Sequence, residues 1–210
     1  KKRRDSSIGS GVIMNSRGFI LTNAHVLQDA SDIRITLSDG RQSKAQLIGF
    51  DTDTDLAVIH IPLNDLPVIP IGDSSTLKVG DIVLAIGNPY NFGQTVTQGI
   101  VSAVSRKRRG IAFFDDFIQT DADINLGNSG GALVDSNGIL LGITNANFQV
   151  RDSRNRVRNV DGINFAVPYE LAKRVMDEII SNGRVIRGQL GFIGSENRNR
   201  PGIDVTAVAK

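Results

Sequence analysis

The sequence predicts an all-β fold that ends in a single helix. Between residues 8 and 168, short segments of alternating apolar and polar residues recur, and clusters of glycine, asparagine, aspartate and serine separate them. Short strands at regular spacing are typical of a β-sandwich or a β-barrel. The chain has 210 residues, 40% of them hydrophobic, and is therefore long enough for one or two cores.

The strands are expected in two groups. Two hairpins and three further strands are predicted, in chain order, at residues 11–14 with 19–21, 33–37 with 45–50, and then 82–86, 95–104 and 139–144. Residues 72–80 are rich in small and polar side chains and are predicted to separate a first barrel (residues 8–75) from a second barrel (residues 76–168). A catalytic site formed from both groups would lie in the cleft between them.

One helix is predicted directly after the second group of strands. Pro168 precedes a segment in which apolar residues recur at helical spacing, and Gly183 follows as a stop signal. We expect this helix, residues 169–184, to pack against the strands and to take no part in chemistry. Residues 185–210 are expected to hold a linker and a fragment of a further domain.

The glycine-rich segment GNSGG, residues 127–131, is the strongest indication of chemistry in the chain. Glycine adopts backbone angles that strain other residues, so this segment can turn tightly and direct successive N–H groups toward one point. We expect Ser129 to be presented as a nucleophile. The turn of Gly127, Asn128 and Ser129 is expected to form an oxyanion hole, with the N–H groups of Gly127 and Ser129 as donors.

A serine hydroxyl attacks an amide only with the help of a base, and the chain contains two histidines. His25 follows an apolar, β-rich segment where a strand is expected to give way to a loop. His60 lies between two isoleucines in a pattern typical of a half-buried strand, which indicates a structural or surface-facing role. We therefore expect His25 to be the base.

The base needs a carboxylate to orient it, and three aspartates precede the apolar segment at residues 56–59. Asp55 directly adjoins this strand, where its side chain would be held and shielded from water, and it is the expected carboxylate. Asp51 and Asp53 resemble loop residues. The alternative is a solvated acidic turn or a weak calcium loop, although the glycine and distal glutamate of an EF-hand are missing.

Composition argues against several other functions. Two isolated histidines and no cysteine offer no closed zinc site, and we expect neither a metal ion nor a cofactor. The formal net charge is only +2, tryptophan is absent, and no RNA- or DNA-binding signature surrounds the basic residues 106–109. Nucleic acid is therefore not an expected partner.

The order of His25, Asp55 and Ser129 is that of chymotrypsin-type proteases, and the surrounding motifs resemble one family of serine proteases. These motifs are TNAHV at residues 22–26, DLAV at 55–58, GNP at 87–89, QTDA at 119–122 and GNSGG at 127–131. Through them the chain resembles the HtrA (Deg) serine proteases from about residue 9 to residue 191. The resemblance implies a chymotrypsin-like double β-barrel, a homotrimer, and PDZ domains that bind the C-termini of activating peptides.

The resemblance also implies a function and a location. Residues 87–100 are most similar to the regulatory branch of the family, which cleaves an anti-sigma factor in the bacterial periplasm during the stress response. The implied activity is cleavage of extended or unfolded polypeptide after small aliphatic residues. A quality-control protease and a protease-fold scaffold held inactive are the alternatives. We expect an N-terminal anchor in the inner membrane ahead of Lys1, and a PDZ domain that is largely absent from these residues.

By the same resemblance, an extended substrate is expected to add as a strand beside residues 144–147, with Thr144 and Asn145 among the binding residues. Ile124 and Phe148 are expected to form the side-chain pocket, although ordinary core packing would also explain both residues. Arg106 lies where the family has a regulatory sensor loop, and we expect it to couple that loop to the active site. A flexible basic surface loop is the alternative for this segment.

Overall fold

The computed structural model describes residues 7–88, 93–106, 117–125, 127–145, 150–151, 157–158, 162–188, 192–196 and 203–208. Its strands are, in chain order, β1 (Val12–Ile13), β2 (Phe19–Asn23), β3 (Ile33–Thr36), β4 (Gln42–Asp51), β5 (Leu56–His60), β6 (Ile82–Gly87), β7 (Thr95–Arg106), β8 (Phe117–Thr120), β9 (Ala132–Asp135), β10 (Leu140–Asn145), β11 (Val150–Arg151), β12 (Val157–Arg158), β13 (Asn164–Pro168), β14 (Phe192–Glu196) and β15 (Ile203–Val208). The helix α1 (Tyr169–Asn182) follows β13, and short 3₁₀ helices span Ala24–Leu27 and Ser74–Thr76.

The first five strands form one antiparallel sheet in the order β1-β2-β5-β4-β3. Its central strands, β2 and β5, are almost continuously buried, so both faces of the sheet are covered there. Ile20 and Ile59 face one small core, whereas Leu21 and Val58 face a larger core that is shared with the second unit and with α1. The sheet is thus held from both sides.

The register of β2 and β5 determines which residues meet at the edge of this sheet. Asn23, the last residue of β2, pairs with Leu56, the first residue of β5. His25 is the second residue of the 3₁₀ helix that directly follows β2, and Asp55 directly precedes β5. The antiparallel pairing therefore brings these two residues to the same end of the sheet.

The second unit is a closed barrel with the strand order β10-β13-β8-β7-β6-β9. Its interior is filled by aliphatic side chains, among them Val83, Val101, Leu133 and Ala166. The connection from β8 to β9 carries the GNSGG segment. This segment consequently lies at one end of the barrel.

The linker between the two units is hydrogen-bonded to the barrel and to the helix. Leu140 of β10 donates its N–H to Pro70 O at 2.8 Å and accepts from Gly72 N at 3.1 Å. Ser74 N donates to Glu170 Oε1 at 2.7 Å, and the Ser74 hydroxyl donates to the second carboxylate oxygen of Glu170. These bonds hold the crossing segment against both the barrel and α1.

The helix α1 packs across both units. It contacts β4 and β5 of the sheet and β10 and β13 of the barrel, and Val175 and Ile179 lie in the shared core. It ends at Asn182, where Gly183 adopts a φ of 73° and donates its N–H to Ile179 O. Glycine suits this left-handed cap because it has no Cβ.

The predicted all-β fold with a C-terminal helix is confirmed, but the first unit differs in one detail from the expected barrel. The second unit closes as a barrel, whereas the first is an open sheet, or half-barrel, in the described residues. Its edge strands β1 and β3 contain only two and four residues, and they do not pair with each other. Within the described part of the chain, no helix has the length and apolar composition needed to cross a bilayer.

Candidate active site

The backbone around Asp55 is fastened to the end of β2. Ala24 N donates to Asp55 O at 2.9 Å, and Asn23 Nδ2 donates to the same carbonyl at 3.0 Å. Asp55 adopts a φ of 56°, in the left-handed region that aspartate enters more readily than most residues. This backbone turn ends the tight loop before β5 and presents the Asp55 carboxylate to His25.

His25 and Asp55 form a direct side-chain contact. His25 Nδ1 lies 2.6 Å from Asp55 Oδ2, and the His25 backbone N–H donates to Asp55 Oδ1 at 2.9 Å. A carboxylate beside Nδ1 favours the tautomer that carries its proton there, which leaves Nε2 as a proton acceptor. The side chains of His25 and Asp55 are 27% and 21% exposed, so the pair is partly open to solvent.

The barrel contributes a third group to the same carboxylate. Asn145, the last residue of β10, donates from Nδ2 to Asp55 Oδ2 at 2.9 Å. Asp55 Oδ2 thus interacts with one group from each unit, and this contact joins residues 90 positions apart. The carboxylate is therefore oriented by the packing of the sheet against the barrel.

Residues 127–131, which we call the nucleophile loop, turn tightly beside the end of β2. Gly127 and Gly130 adopt φ values of 98° and 81°. A Cβ added to Gly130 would lie 2.4 Å from Thr22 Oγ1 and 3.0 Å from Asn23 N, so no larger side chain fits without movement. The loop, which contains Ser129, consequently lies against the segment that leads into His25.

The peptide group that contains the Ser129 N–H is held from the other side. Its carbonyl, that of Asn128, accepts from Thr144 Oγ1 at 2.6 Å and from Gly131 N at 2.9 Å. Because the carbonyl and N–H of a trans peptide point in opposite directions, these two bonds determine the direction of the Ser129 N–H. Thr144 is fully buried, so this support is shielded from water.

The expected substrate residues lie in different environments. The Thr144 backbone donates to Gly131 O and accepts from Gly130 N, each at 2.9 Å, so all its polar groups contact the nucleophile loop. The Asn145 amide contacts Asp55. Ile124 is 7% exposed and packs in the barrel core. Direct substrate binding by these three residues stays a prediction.

Two expected residues fall wholly or partly outside what the structure describes. Phe148 lies outside the described residues. For Arg106 the backbone is described, and it pairs with Phe117 at the end of β7. The expected pocket role of Phe148 and the expected regulatory role of Arg106 therefore stay predictions.

The alternative base has a different environment from that of His25. His60 lies at the far end of β5 from Asp55, about 16 Å along the strand, and its Nε2 contacts Arg17 O at 2.9 Å. Its ring also packs on Phe19. These contacts are those of a structural residue.

Asp51 and Asp53 bind the segment after α1 instead of a histidine. Arg187 Nη1 lies 2.6 Å from Asp51 Oδ1 and 3.1 Å from Asp53 Oδ2. Burial alone would raise the pKa of Asp51, but hydrogen bonds from Arg187 and Thr54 outweigh burial and hold this pKa below its ordinary value. Among the described residues, no three histidine, aspartate or glutamate side chains converge as a metal site.

Sequence reasoning did not identify the contact between Asn145 and Asp55 or the support of the loop by Thr144. Both residues belong to a mainly apolar strand, β10, and the sequence pattern indicates them only as substrate contacts. The available signal in the sequence is a polar residue inside an apolar strand, because such a residue is expected to be buried and then needs a hydrogen-bonding partner. The identity of that partner depends on the packing of the two units.

The sequence matches known proteases along most of its length. Residues 9–143 match the family described as the trypsin-like peptidase domain. The chain is 51% identical over 191 residues to the serine endoprotease DegS of Salmonella typhimurium, and equally to that of Escherichia coli K12. Each alignment covers 90% of this chain and 53% of the relative. A probable periplasmic serine endoprotease, DegP-like, of Chlamydia trachomatis is 46% identical over 190 residues, 90% of this chain and 37% of the relative.

Solved structures agree with this result. The HtrA-type protease AlgW with a decapeptide has a TM-score of 0.87 and 46% identity, and the comparison covers 97% of this chain and 64% of that one. The serine endoprotease from Yersinia pestis has a TM-score of 0.81 and 48% identity, with 100% and 68% covered. The chain spans about half the length of the DegS relatives it matches.

Proposed function

Because the chain belongs to the trypsin-like peptidases and, among them, to the HtrA proteases, we propose that it is a serine endopeptidase with Ser129 as nucleophile, His25 as base and Asp55 as orienting carboxylate. The observation that carries this proposal is the 2.6 Å contact between His25 Nδ1 and Asp55 Oδ2. A histidine held in this way is prepared to accept a proton at Nε2.

The proposed reaction follows from this arrangement. His25 accepts the proton of the Ser129 hydroxyl as its oxygen attacks a peptide carbonyl, and it later returns a proton to the leaving amine. Asp55 stabilises the positively charged imidazolium that forms in between. The Asn145 amide beside the carboxylate supports this role because it holds Asp55 Oδ2 toward the ring.

The oxyanion of the tetrahedral intermediate would be bound by the N–H groups of Gly127 and Ser129, with Asn128 between them. Support comes from the two hydrogen bonds to the Asn128 carbonyl, which direct the Ser129 N–H. Loss of one such donor typically lowers turnover by about 10²- to 10³-fold. The conformation of the nucleophile loop therefore controls whether the enzyme is active.

The proposed substrate is an extended or unfolded polypeptide. The end of β10, at Thr144 and Asn145, lies beside the nucleophile loop, and a peptide that adds as a strand along residues 144–147 would place its carbonyl near Ser129. Ile124 and Phe148 are the proposed pocket for a small aliphatic side chain. The solved AlgW structures contain a decapeptide and a tripeptide, which agrees with peptide binding in this family.

The DegS relatives favour a regulatory protease of the envelope stress response, with an anti-sigma factor as substrate. We include in this proposal a homotrimer, activation by peptide C-termini through a PDZ domain, coupling through Arg106, and a periplasmic location with an inner-membrane anchor. The DegP-like relatives, at 46% identity, favour quality control as the second candidate function. The proposed domain boundaries are residues 8–75, 76–168, 169–184 and 185–210.

Active-site labelling tests the proposed chemistry directly. A fluorophosphonate probe should label the wild-type chain at one site, and Ser129→Ala should abolish the labelling. Persistent labelling of Ser129→Ala would refute Ser129 as the nucleophile. A wild-type chain that neither reacts nor cleaves unfolded protein, with or without hydrophobic C-terminal peptides, would favour the inactive scaffold. Cleavage of a peptide library under both conditions would then separate the regulatory protease from the quality-control protease.

A further inference from the structure

Ser10, which precedes β1, contacts the nucleophile loop and its surroundings with all its polar groups. Its N–H donates to Ser129 O at 2.9 Å, and its carbonyl accepts from Thr22 Oγ1 at 2.7 Å. Its hydroxyl donates to Gly127 O at 2.6 Å and accepts from Asn88 N at 2.8 Å. One serine thereby joins β2, the end of β6 and the nucleophile loop.

The direction of the hydroxyl proton follows from these partners. The Asn88 backbone N–H can only donate, so the Ser10 oxygen must accept from it. The Gly127 carbonyl can only accept, so it takes the single proton of the Ser10 hydroxyl. The hydroxyl therefore has one stable orientation, with its proton toward the nucleophile loop.

This bond holds the peptide group between Gly127 and Asn128. The carbonyl of this peptide points toward Ser10, and its N–H, that of Asn128, donates to Asn125 O at 2.9 Å. The peptide is thus held at both ends. Gly127 has a φ of 98°, and because glycine also reaches other backbone angles easily, its own conformation does little to prevent rotation of this peptide.

The held peptide lies between the two proposed oxyanion donors. Rotation of this peptide changes the ψ angle of Gly127 and the φ angle of Asn128, and these angles determine how the N–H groups of Gly127 and Ser129 are oriented relative to each other. Thr144 holds the following peptide through the Asn128 carbonyl. Ser10 and Thr144 therefore support successive peptide groups of the same loop.

We propose that Ser10 is a positioning residue whose hydroxyl keeps the oxyanion donors directed at the reacting carbonyl. This inference rests on the proposed serine peptidase function. The segment before β1 is then part of the catalytic apparatus, although Ser10 itself touches no reacting atom. Its loss should weaken binding of the transition state and leave binding of the uncleaved peptide nearly unchanged.

The test compares Ser10→Ala with wild type on a peptide substrate. We expect kcat to fall about tenfold, less than for complete loss of an oxyanion donor, while KM changes by less than about twofold. A peptide boronate, which forms a negatively charged tetrahedral adduct with Ser129, should lose affinity by the same factor as kcat/KM. A product peptide without such a group should bind as it does to wild type.

Ser43→Ala is the matched control. The Ser43 hydroxyl also donates to a backbone carbonyl, that of Lys44 at 2.9 Å, but it lies in β4, outside the site. Its kcat, KM and boronate affinity should equal those of wild type. The endpoint of fluorophosphonate labelling counts competent molecules, so kcat is expressed per active site even if part of the Ser10→Ala protein is unfolded.

The possible outcomes separate the two proposals. Unchanged kcat in Ser10→Ala beside an active wild type would overturn the role of Ser10 and leave the peptidase proposal intact. An equal loss of affinity for boronate and product peptide would show a general structural effect, which also overturns it. A wild-type chain with no Ser129-dependent activity would refute the peptidase proposal, and the inference about Ser10 with it.

Discussion

Asp55→Asn tests the proposed triad most directly, because it replaces one oxygen of a carboxylate that accepts three hydrogen bonds. Oδ1 accepts from the His25 backbone N–H at 2.9 Å. Oδ2 lies 2.6 Å from His25 Nδ1 and accepts from Asn145 Nδ2 at 2.9 Å. The substitution keeps the size of the side chain but adds an NH₂ group that can only donate.

Neither orientation of the new amide satisfies these partners. With its nitrogen at the Oδ2 position, the NH₂ group faces Asn145 Nδ2 and forces His25 Nδ1 to accept, which places the ring proton on Nε2. With the amide turned over, the NH₂ group faces the His25 backbone N–H. The first orientation loses two charge-assisted hydrogen bonds, each worth about 1.5–3 kcal/mol, or about 3–6 kcal/mol together.

At about 1.36 kcal/mol for each tenfold change in rate, this loss predicts that kcat falls about 10²- to 10⁴-fold. The upper end agrees with the drop of about 10⁴ found for the same substitution in chymotrypsin-type triads. The assay is steady-state cleavage of a peptide, combined with the rate of fluorophosphonate labelling. KM should change little, because Asp55 does not contact the substrate in the proposed reaction.

Asp53→Asn is the control for this experiment. Asp53 lies in the same turn, but its carboxylate contacts Arg187. This variant should keep at least half of the wild-type kcat. An Asp55→Asn variant that retained more than about a tenth of the wild-type kcat, at the same fraction of folded protein, would refute the assignment of Asp55 as orienting carboxylate.

Three further predictions concern the nucleophile loop and the ion pair between Asp51 and Arg187. Thr144→Val removes the buried hydroxyl under the nucleophile loop and should lower kcat about tenfold with little change in KM; an unchanged kcat would contradict the supporting role. Gly130→Ala places a Cβ at a φ of 81° and within 2.4 Å of neighbouring atoms, and it should abolish fluorophosphonate labelling of Ser129. Gly138→Ala is the control: its φ is 79° but the space around it is open, so it should lower the free energy of unfolding by only about 1 kcal/mol. Because the pKa of Asp51 is lowered from 3.8, its bond to Arg187 should stabilise the fold fully above about pH 5 and lose this effect as pH falls through 3.8 and then through the lowered folded pKa. Asp51→Asn should flatten this acid limb of the unfolding profile, and an unchanged limb would show that other carboxylates control it.

Much of the fold could be read from local patterns. The apolar segment before His25 and the one after Asp55 become the central strands β2 and β5 of the first sheet. Helical spacing between Pro168 and Gly183 corresponds to α1, which runs from Tyr169 to Asn182. Closure was less predictable, because it depends on whether edge strands meet, and strand patterns carry no information about that.

The sequence indicates candidate reactive groups, whose roles stay predictions, but it does not indicate the residues that support them. GNSGG, with glycines on both sides of Ser129, indicates a nucleophile because few sequences permit so tight a turn. The choice of Asp55 over Asp51 and Asp53 followed from its position next to a strand. The left-handed backbone of Asp55, by contrast, could not be anticipated from the alternation of residues.

The amino-acid sequence alone determined several of the strand segments, the terminal helix, the glycine turn and the three residues proposed for catalysis, because each depends on residues close together in the chain. Only the tertiary structure decided that Asn145 orients Asp55 across 90 residues and that Ser10 holds Gly127 across 117. Such hydrogen bonds require atoms of two separately formed units to meet at less than 3 Å. That distance results from the packing of the whole core, and no short segment of the sequence encodes it.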